Sequence, residues 1–139
     1  MKIYYKKRMV AAEEGLLIIT ERWISVHETP ETHLCIEESA LNRFKSAVSF
    51  NNNLSKQQVA RKHFRAKRVH KTSSRFAFDS EDKALENLLF LKRLQLKHLE
   101  RNAKFAECLL ANHEDLQPYG NYQLVKNSSE LVHEYLRFD

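Results

Sequence analysis

Residues 79–112 read DSEDKALENLLFLKRLQLKHLERNAKFAECLLAN, and this stretch decides the fold. Asp79 or Ser80 can cap the start of a helix, and the acidic residues Glu81 and Asp82 suit the positive end of the helix dipole. Apolar residues then recur every three or four positions, at Leu85, Leu89, Leu96, Leu99, Ala103, Ala106 and Leu110. The stretch therefore predicts one long amphipathic helix whose apolar face must be buried.

The length of this helix bears on assembly. About 33 helical residues span roughly 50 Å, whereas a compact domain of this size has a radius of gyration near ~14 Å. We therefore expect the helix to extend beyond its own domain and to be covered by a second copy of the chain, as a homodimer. The alternative is a break near Gln95 or Asn102, which would let the helix fold back. The residues expected to mediate self-association are Leu96, Leu99, Ala103 and Leu110.

The residues at the start of the chain favour a small antiparallel sheet. Residues 2–10 place Ile3, Tyr5 and Met9 on one side of an extended segment, and residues 16–27 form a second run rich in Ile. The turn residues at 13–15 predict a β-hairpin between these runs, and residues 33–37 predict a short third strand. The chain contains two glycines and two prolines, so a β-sandwich with many tight turns is disfavoured.

Shorter helices are expected between the sheet and the long helix. Residues 39–47 favour a helix with Leu41 and Phe44 inward, followed by a loop at 49–53. The pair Ser55 and Gln58 forms a capping box, which predicts a helix to about residue 66. The inward positions of that helix would be Val59, His63 and Ala66.

Three further elements follow from turn signals and alternation. Val69, Phe76 and Phe78 favour extended segments on either side of residues 72–74, as in a second hairpin. A turn at 117–120 precedes a predicted strand at 122–125, and residues 129–136 favour a terminal helix.

These elements together predict an α+β fold with a small antiparallel β-sheet packed against one long amphipathic helix and shorter flanking helices. The chain has 139 residues, of which 42% are hydrophobic, so we expect a single domain over residues 1–139. No stretch approaches the ~18 apolar residues that span a bilayer, and the first residues lack the apolar run of a secretory signal. The two cysteines are too few for a disulfide framework. We therefore expect a cytoplasmic protein.

Positive charge is concentrated in residues 51–78, which contain eight basic and no acidic residues, whereas the whole chain carries a net charge of +5. Like charges at helical spacing, such as Arg61 and Arg65, repel one another, and a polyanion would remove that repulsion. The predicted nucleic-acid or partner-binding residues are Arg61, Lys62, Phe64, Arg65, Lys67, Arg68, His70 and Lys71.

Two interpretations of this basic segment remain open. It can lie against phosphates, with Phe64 or His70 stacking on an unpaired base. It can equally be a solvated face, or a surface that meets acidic residues of another part of the chain or of a partner protein. The segment contains neither the glycine pattern of an RNA-binding strand nor a helix-turn-helix.

The long helix carries cations of its own, but these do not predict a second site. Arg93, Lys97, Arg101 and Lys104 lie on the same side as Glu86 and Glu100. Glu100 and Lys104 stand in the favourable i,i+4 order. This side of the helix is therefore interpreted as a solvent-exposed face on which neighbouring side chains form ion pairs.

No residue pattern predicts catalysis or a resident metal. Zinc would need ligands from among His27, His33, Cys35, Cys108 and His113, whose spacing matches no familiar zinc motif. A nucleophilic Cys35 with a histidine base has no support from spacing, since such a dyad is recognised by geometry.

Glycine content also bears on nucleotide chemistry. The two glycines, Gly15 and Gly120, cannot form a phosphate-cradling glycine loop. We therefore expect a protein that is not an enzyme, with no cofactor and no metal.

The sequence SRFAFDSEDKAL at residues 74–85, running into LKRLQL at 91–96, resembles a segment of small uncharacterised bacteriophage and prophage proteins. In those proteins an aromatic strand enters a capped helix rich in Lys, Arg and Gln. The resemblance covers about a third of the chain and carries over no binding or catalytic residue. It implies a protein that binds host machinery, including transcription, nuclease and anti-phage defence complexes such as CRISPR. The basic charge differs from the acidic, DNA-mimicking members of the anti-defence group.

We therefore expect a phage-type accessory protein that acts by binding, in the cytoplasm of the host cell. Its basic segment would contact nucleic acid or a host nucleoprotein complex. One alternative is a protein-binding inhibitor or adaptor, for example an anti-CRISPR protein, that docks on an acidic surface. A third alternative is a small hydrolase or nuclease that uses histidine and carboxylate side chains.

Overall fold

The computed structural model describes residues 1–51, 53–72 and 75–136. The strands are β1 (Ile3–Ala12), β2 (Gly15–Glu28), β3 (Thr32–Glu37), β4 (Lys67–His70), β5 (Gln117–Tyr119) and β6 (Tyr122–Leu124). The helices are α1 (Leu41–Phe50), α2 (Lys56–His63), α3 (Glu81–Asn112) and α4 (Ser129–Tyr135), and a 3-10 turn at Glu38–Ala40 precedes α1. This is an α+β fold with an antiparallel sheet, one long helix and shorter helices, so the predicted fold class is confirmed.

The four-stranded sheet has the order β1-β2-β3-β4, and each neighbouring pair is antiparallel. The first hairpin closes where Ala12 pairs with Gly15, which leaves Glu13 and Glu14 as the turn. The register of β2 against β3 shifts between Ser25 and His27. The predicted hairpin and third strand are confirmed within one or two residues.

One face of the sheet is covered by α1 and α2, and we call it the helix-covered face. Phe44, Val59 and Ala60 of these helices pack with four sheet residues into one buried cluster; the sheet residues are Ile24, Val26, Leu34 and Ile36. Phe44 is 1% exposed. The predicted inward positions of Leu41 and Phe44 are therefore confirmed, since Leu41 packs against the same cluster.

Helix α2 begins as predicted but ends early. The Ser55 hydroxyl accepts from the Gln58 backbone N–H at 3.2 Å, and the Gln58 side chain accepts from the Ser55 N–H at 2.8 Å, which completes the capping box. The helix stops at His63 rather than Ala66, because Arg65 adopts a left-handed conformation with φ of 50°. His63 is exposed, and Ala60 takes the inward position that was predicted for it.

The opposite face is covered by the chain that leads into α3, and we call it the loop-covered face. Its buried residues are Tyr4, Trp23, Cys35, Val69 and Ala77, with Phe76 packed against them. Tyr4 is the buried residue of β1, whereas Ile3 and Tyr5 are half-buried and Met9 is exposed. Ile3, Tyr5 and Met9 lie on one side of β1 as predicted, but Tyr4 on the other side is the most buried residue of this strand, because both faces of the sheet are covered.

The predicted second hairpin around residues 72–74 does not form between Val69 and Phe78. Val69 lies in β4 and pairs with β3, whereas Phe78 pairs with Tyr5 of β1 at the other edge of the sheet. The Phe78 N–H donates to the Tyr5 carbonyl at 2.8 Å, and the Tyr5 N–H donates back at 2.6 Å. Ser73 and Ser74 of the expected turn lie outside the described residues.

The chain divides into two compact units, residues 1–89 and 90–139. Helix α3 starts in the first unit and ends in the second as one continuous helix, so the alternative of a break near Gln95 or Asn102 is not observed. The Ser80 hydroxyl accepts from the Lys83 N–H at 3.2 Å and caps the helix as predicted. No helix within the described residues is both long and apolar enough to cross a membrane.

The apolar face of α3 is not buried as predicted. Ala84 and Leu88 are its buried residues, whereas Leu85 and Leu89 are 37% and 42% exposed. The residues predicted to mediate self-association are exposed as well: Leu96, Leu99, Ala103 and Leu110. Most of the predicted apolar face of α3 is therefore exposed in the described structure.

The second unit contains the end of α3, the β5–β6 hairpin and α4. Phe105 of α3 packs edge-to-face on Tyr135 of α4, with 6.2 Å between ring centroids. A cavity of about 310 Å³ lies among α3, β6 and α4. The predicted strand at 122–125 and terminal helix at 129–136 are confirmed, with bounds at Tyr122–Leu124 and Ser129–Tyr135.

Candidate functional site

The eight residues predicted to bind a partner do not form one continuous surface. Strand alternation sends Lys67 and Arg68 to opposite faces of the sheet, because Lys67 pairs with Cys35 and Arg68 pairs with Leu34. Six of the eight residues divide among three concave regions, one of which contains Lys71, while Lys62 and His70 line none of these regions. Each region has its own charge balance, and that balance decides what the region can bind.

The first region is a groove of about 430 Å³, which we call the Arg61 groove. Arg61 of α2 and Arg68 of β4 both line it, together with the β2–β3 turn and the start of α2. Its other lining residues are His27, Thr29, Thr32, Leu34, Ser55, Gln57 and Gln58. Among the described residues, no aspartate or glutamate lines this groove. Two guanidinium groups, hydroxyls and amides suit an anion with several oxygen atoms, such as a phosphodiester.

The walls of the Arg61 groove are held by hydrogen bonds. The hydroxyls of Thr29 and Thr32 lie 2.7 Å apart, and the Thr32 N–H donates to Thr29 Oγ1 at 3.0 Å. Gln57 Nε2 lies 3.2 Å from Nε2 of His27, which ties α2 to β2 across the groove. These contacts position the lining before any ligand arrives.

Five cations in this part of the molecule have no ion-pair partner among the described residues: Arg61, Lys62, Arg65, Lys67 and Arg68. All five are exposed. No described carboxylate lies within ion-pair distance of these cations, so a bound anion would reduce their mutual repulsion.

The second region is a groove of about 460 Å³ lined by Arg43, His63, Arg65 and Lys67, which we call the Arg65 groove. Glu37 also lines it, so its charge is partly balanced. Phe64 borders this groove but packs edge-to-face on Phe44 with 5.6 Å between ring centroids. The half-buried ring of Phe64 belongs to the core of the helix-covered face, which favours a structural role over stacking on a base.

The third region is a cavity of about 480 Å³ on the loop-covered face, which we call the His33 cavity. Its cations are largely paired: Lys71 Nζ lies 2.9 Å from Glu28 Oε1, and Lys83 Nζ lies 3.0 Å from Asp79 Oδ1. The hydrogen bond from Lys71 lowers the pKa of Glu28, and the one from Lys83 lowers the pKa of Asp79. Lys71 therefore has a carboxylate partner, whereas the described residues offer none to Arg61, Lys62, Arg65, Lys67 and Arg68.

His33 connects this cavity to a chain of polar groups that sequence reasoning missed. Its Nδ1 lies 2.7 Å from the Ser25 hydroxyl, and its Nε2 lies 3.3 Å from Glu28 Oε1. Burial lowers the pKa of His33, and the nearby Glu28 carboxylate opposes that effect in part. The neutral imidazole is therefore favoured. No spacing in the sequence predicts this series of polar groups, because Ser25 and His33 lie on two different strands and come together only when the strands pair.

The order hydroxyl, imidazole and carboxylate is that of hydrolytic triads, but the geometry here favours an internal network. Ser25 does not line the His33 cavity, and its hydroxyl also lies 3.3 Å from the His27 carbonyl oxygen. A nucleophile must be able to reach a substrate, and this hydroxyl is turned toward backbone instead.

Cys35 is fully buried, and burial raises the pKa of its thiol to about 12. It therefore stays protonated and is a poor nucleophile at neutral pH. His33, one of its suggested bases, pairs with Ser25 instead. Within the described ranges, no group of three or more histidine, cysteine, aspartate or glutamate side chains could hold a metal ion.

Comparisons with protein-family models, with curated proteins and with solved structures found no match to this chain.

Proposed function

We propose that this protein acts by binding the phosphate backbone of a nucleic acid, with the Arg61 groove as the primary contact. The observation that carries this proposal is the groove lining, in which Arg61 and Arg68 face one concave surface without a carboxylate among the described residues. Guanidinium groups recognise phosphate through paired, charge-assisted hydrogen bonds.

The cations around the groove would extend this contact. Lys62 lies beside Arg61 on α2, whereas Arg65 and Lys67 line the separate Arg65 groove, so a nucleic acid that contacts all five cations must reach both grooves. Each cation that neutralises a phosphate releases a counterion, so binding of this kind is strong at low salt and weak at high salt. Base recognition is not part of the proposal, because Phe64 is engaged in the core.

The experiment compares two doubly substituted proteins of equal charge. Arg61→Ala with Arg68→Ala removes both guanidinium groups from the groove, while Lys97→Ala with Arg101→Ala removes two cations from α3. Binding of a labelled single-stranded and a labelled duplex oligonucleotide is measured by fluorescence anisotropy at about 50 mM salt. We expect the groove variant to bind roughly 100-fold more weakly and the α3 variant to bind almost as well as the parent.

Two outcomes would decide against the proposal. Equal losses in both variants would show a diffuse charge effect without a site. Absence of binding to either oligonucleotide at low salt, together with retained binding to an acidic protein, would make a protein-binding adaptor or inhibitor the function of this surface. In the phage-type setting that the sequence resembles, the target would be a host nucleic acid, nucleoprotein complex or defence protein.

A further inference from the structure

An exposed apolar seam runs along α3 in the second unit. Its residues are Leu96, Leu99, Ala103, Ala106 and Leu110, which follow the alternating spacing of three and four that defines the a and d positions of a coiled coil. Leu96 and Leu99 are each 57% exposed, and Leu110 is 72% exposed. A regular seam of this length needs a second helix to cover it.

The second unit does not supply that helix. At ~100° per residue, Phe105 and Cys108 lie roughly on the opposite side of α3 from the seam. Both line the cavity that is shared with β6 and α4. The hairpin and α4 therefore occupy the other side of the helix, and the seam is left for a partner.

The sizes of the seam residues determine how two copies fit. In a parallel pair each residue meets its own counterpart, so Ala103 and Ala106 would form two narrow layers between leucine layers and leave voids. In an antiparallel pair, Leu96 faces the partner's Ala106 and Leu99 faces the partner's Ala103. Each large side chain then meets a small one in four successive layers, which fills the space evenly.

Charges beside the seam favour the same arrangement. In this antiparallel register, Arg93 approaches the partner's Glu107 twice, once on each side of the two-fold axis. Glu100 meets the partner's Glu100 once near the axis, with Lys97 and Lys104 within one turn. The stem of Lys92 can cover the partner's Leu110 while its charge reaches solvent. In a parallel pair, Gln95 would face the partner's Glu100 and Asn102 would face the partner's Glu107. Neither residue is a cation, so these contacts would not include an ion pair.

We infer that the protein self-associates through residues 92–110 of α3 as an antiparallel two-fold dimer, with the axis at the level of Arg101. The inference is independent of what the Arg61 groove binds. It gives the exposed seam a single occupant, a second copy of the same helix.

The first test concerns assembly. Sedimentation velocity on the full chain at about 1–100 μM should show a concentration-dependent dimer. Leu99→Glu should shift the protein to monomer, and circular dichroism should show unchanged helix content because Leu99 is already exposed in the single chain. Leu91→Glu is the matched control, since Leu91 is 50% exposed and lies outside the a and d positions. A parent protein that stays monomeric at the highest concentration would overturn the inference.

The second test concerns orientation. Spin labels at Asn102→Cys and, separately, at Ala111→Cys are placed in a Cys108→Ser background. In the antiparallel dimer the two labels at position 102 lie side by side, because this position borders the seam close to the two-fold axis. The labels at position 111 are separated along the helix axes by about 30 Å, at ~1.5 Å per residue. Side-by-side labels at both positions would mean a parallel pair and would overturn the proposed register.

The third test uses charge exchange. Arg93→Glu should weaken dimerisation by roughly 10-fold, because two attractive contacts become repulsive in the same dimer. Adding Glu107→Arg should restore the parent affinity, while Glu107→Arg alone should weaken it. If the double substitution is as weak as the sum of the single ones, Arg93 and Glu107 do not face each other and the register is wrong.

Discussion

Basic side chains lie on both faces of the four-stranded sheet, but they contact a carboxylate on one face and line a groove with no described carboxylate on the other. On the loop-covered face, Lys71 and His33 both contact Glu28, at 2.9 Å and 3.3 Å. At the edge of the helix-covered face, Arg61 and Arg68 line a groove without a carboxylate among the described residues. Adjacent residues of β3 contribute to both, since His33 points to one face and Leu34 to the other.

The two faces thus differ in whether their cations are already paired with carboxylates of the protein or remain, among the described residues, unpaired and able to bind an anion. A cation that is already paired with a carboxylate of the protein interacts less favourably with a bound anion, because the carboxylate partly neutralises its charge. An exposed cluster of unpaired cations keeps its repulsion until an anion arrives. The number of basic residues in a segment is therefore a weaker guide to binding than the number that stay unpaired.

The largest expected effect concerns the packing of the two faces. Phe44→Ala should lower the free energy of unfolding by about 3–5 kcal/mol, because Phe44 is 1% exposed at the centre of the helix-covered face. Phe76→Ala on the loop-covered face should cost less, because Phe76 is half-buried. Urea denaturation of both variants checks the order. Equal losses would mean that the two faces stabilise the sheet equally.

A smaller loss is expected at Phe64, and this substitution tests its role. Phe64→Ala should destabilise the protein by roughly 2 kcal/mol, since the ring is half-buried against Phe44. Single-stranded and duplex binding should then change alike, in proportion to the unfolded fraction. A selective loss of single-strand affinity with an unchanged melting temperature would instead show that the ring stacks on a base.

The prediction from sequence succeeded where a local rule sets the structure. The Ser55–Gln58 capping box begins α2, and apolar spacing defines α3 over its whole length, because both signals lie within a few residues of one another. The prediction failed where contacts between distant parts of the chain determine which residues are buried. Tyr4 is buried because the chain before α3 crosses the second face of the sheet, and alternation along β1 carries no information about that cover.

The candidate site shows the same limit. The sequence identified Arg61 and Arg68 as basic, but they share a groove because β4 pairs with β3 beside the start of α2. The strand alternation that separates Lys67 from Arg68 could be applied only once β4 was known to begin at Lys67. Pairing of Lys71 with Glu28 joins residues 43 positions apart, beyond the reach of any local pattern.

A pH-dependent effect should come from the loop-covered face. Burial lowers the pKa of His33 below its ordinary value of 6.5, so the folded state takes up a proton less readily than the unfolded state. The stability that depends on neutral His33 is present above pH 6.5 and is lost as the pH falls below it. Thermal melts at pH 8.0, 6.5 and 5.5 should show a decline that is shallower in His33→Gln. Identical slopes in both proteins would contradict this role.

The smallest expected effect is that of Lys71→Ala on nucleic-acid binding. Because Lys71 is held by Glu28, its removal should leave the salt dependence of binding unchanged within error. Arg68→Ala, three positions earlier, should flatten the slope of log affinity against log salt by about one unit. Equal changes for Lys71 and Arg68 would remove the distinction between paired and unpaired cations.

The salt dependence of nucleic-acid binding tests the central claim most directly. Affinity for one oligonucleotide is measured from about 50 to 200 mM salt for the parent, Arg61→Ala, Arg68→Ala and the double variant, with Lys97→Ala as the control. If the five unpaired cations contact phosphates, the parent slope should be about −4.5 for a duplex or about −3.5 for a single strand, and each single groove substitution should flatten it by about one unit. The double variant should flatten it by about two units and the control should leave it unchanged. A parent slope near zero, or a slope that ignores Arg61 and Arg68, would contradict the proposal that this groove binds the phosphate backbone.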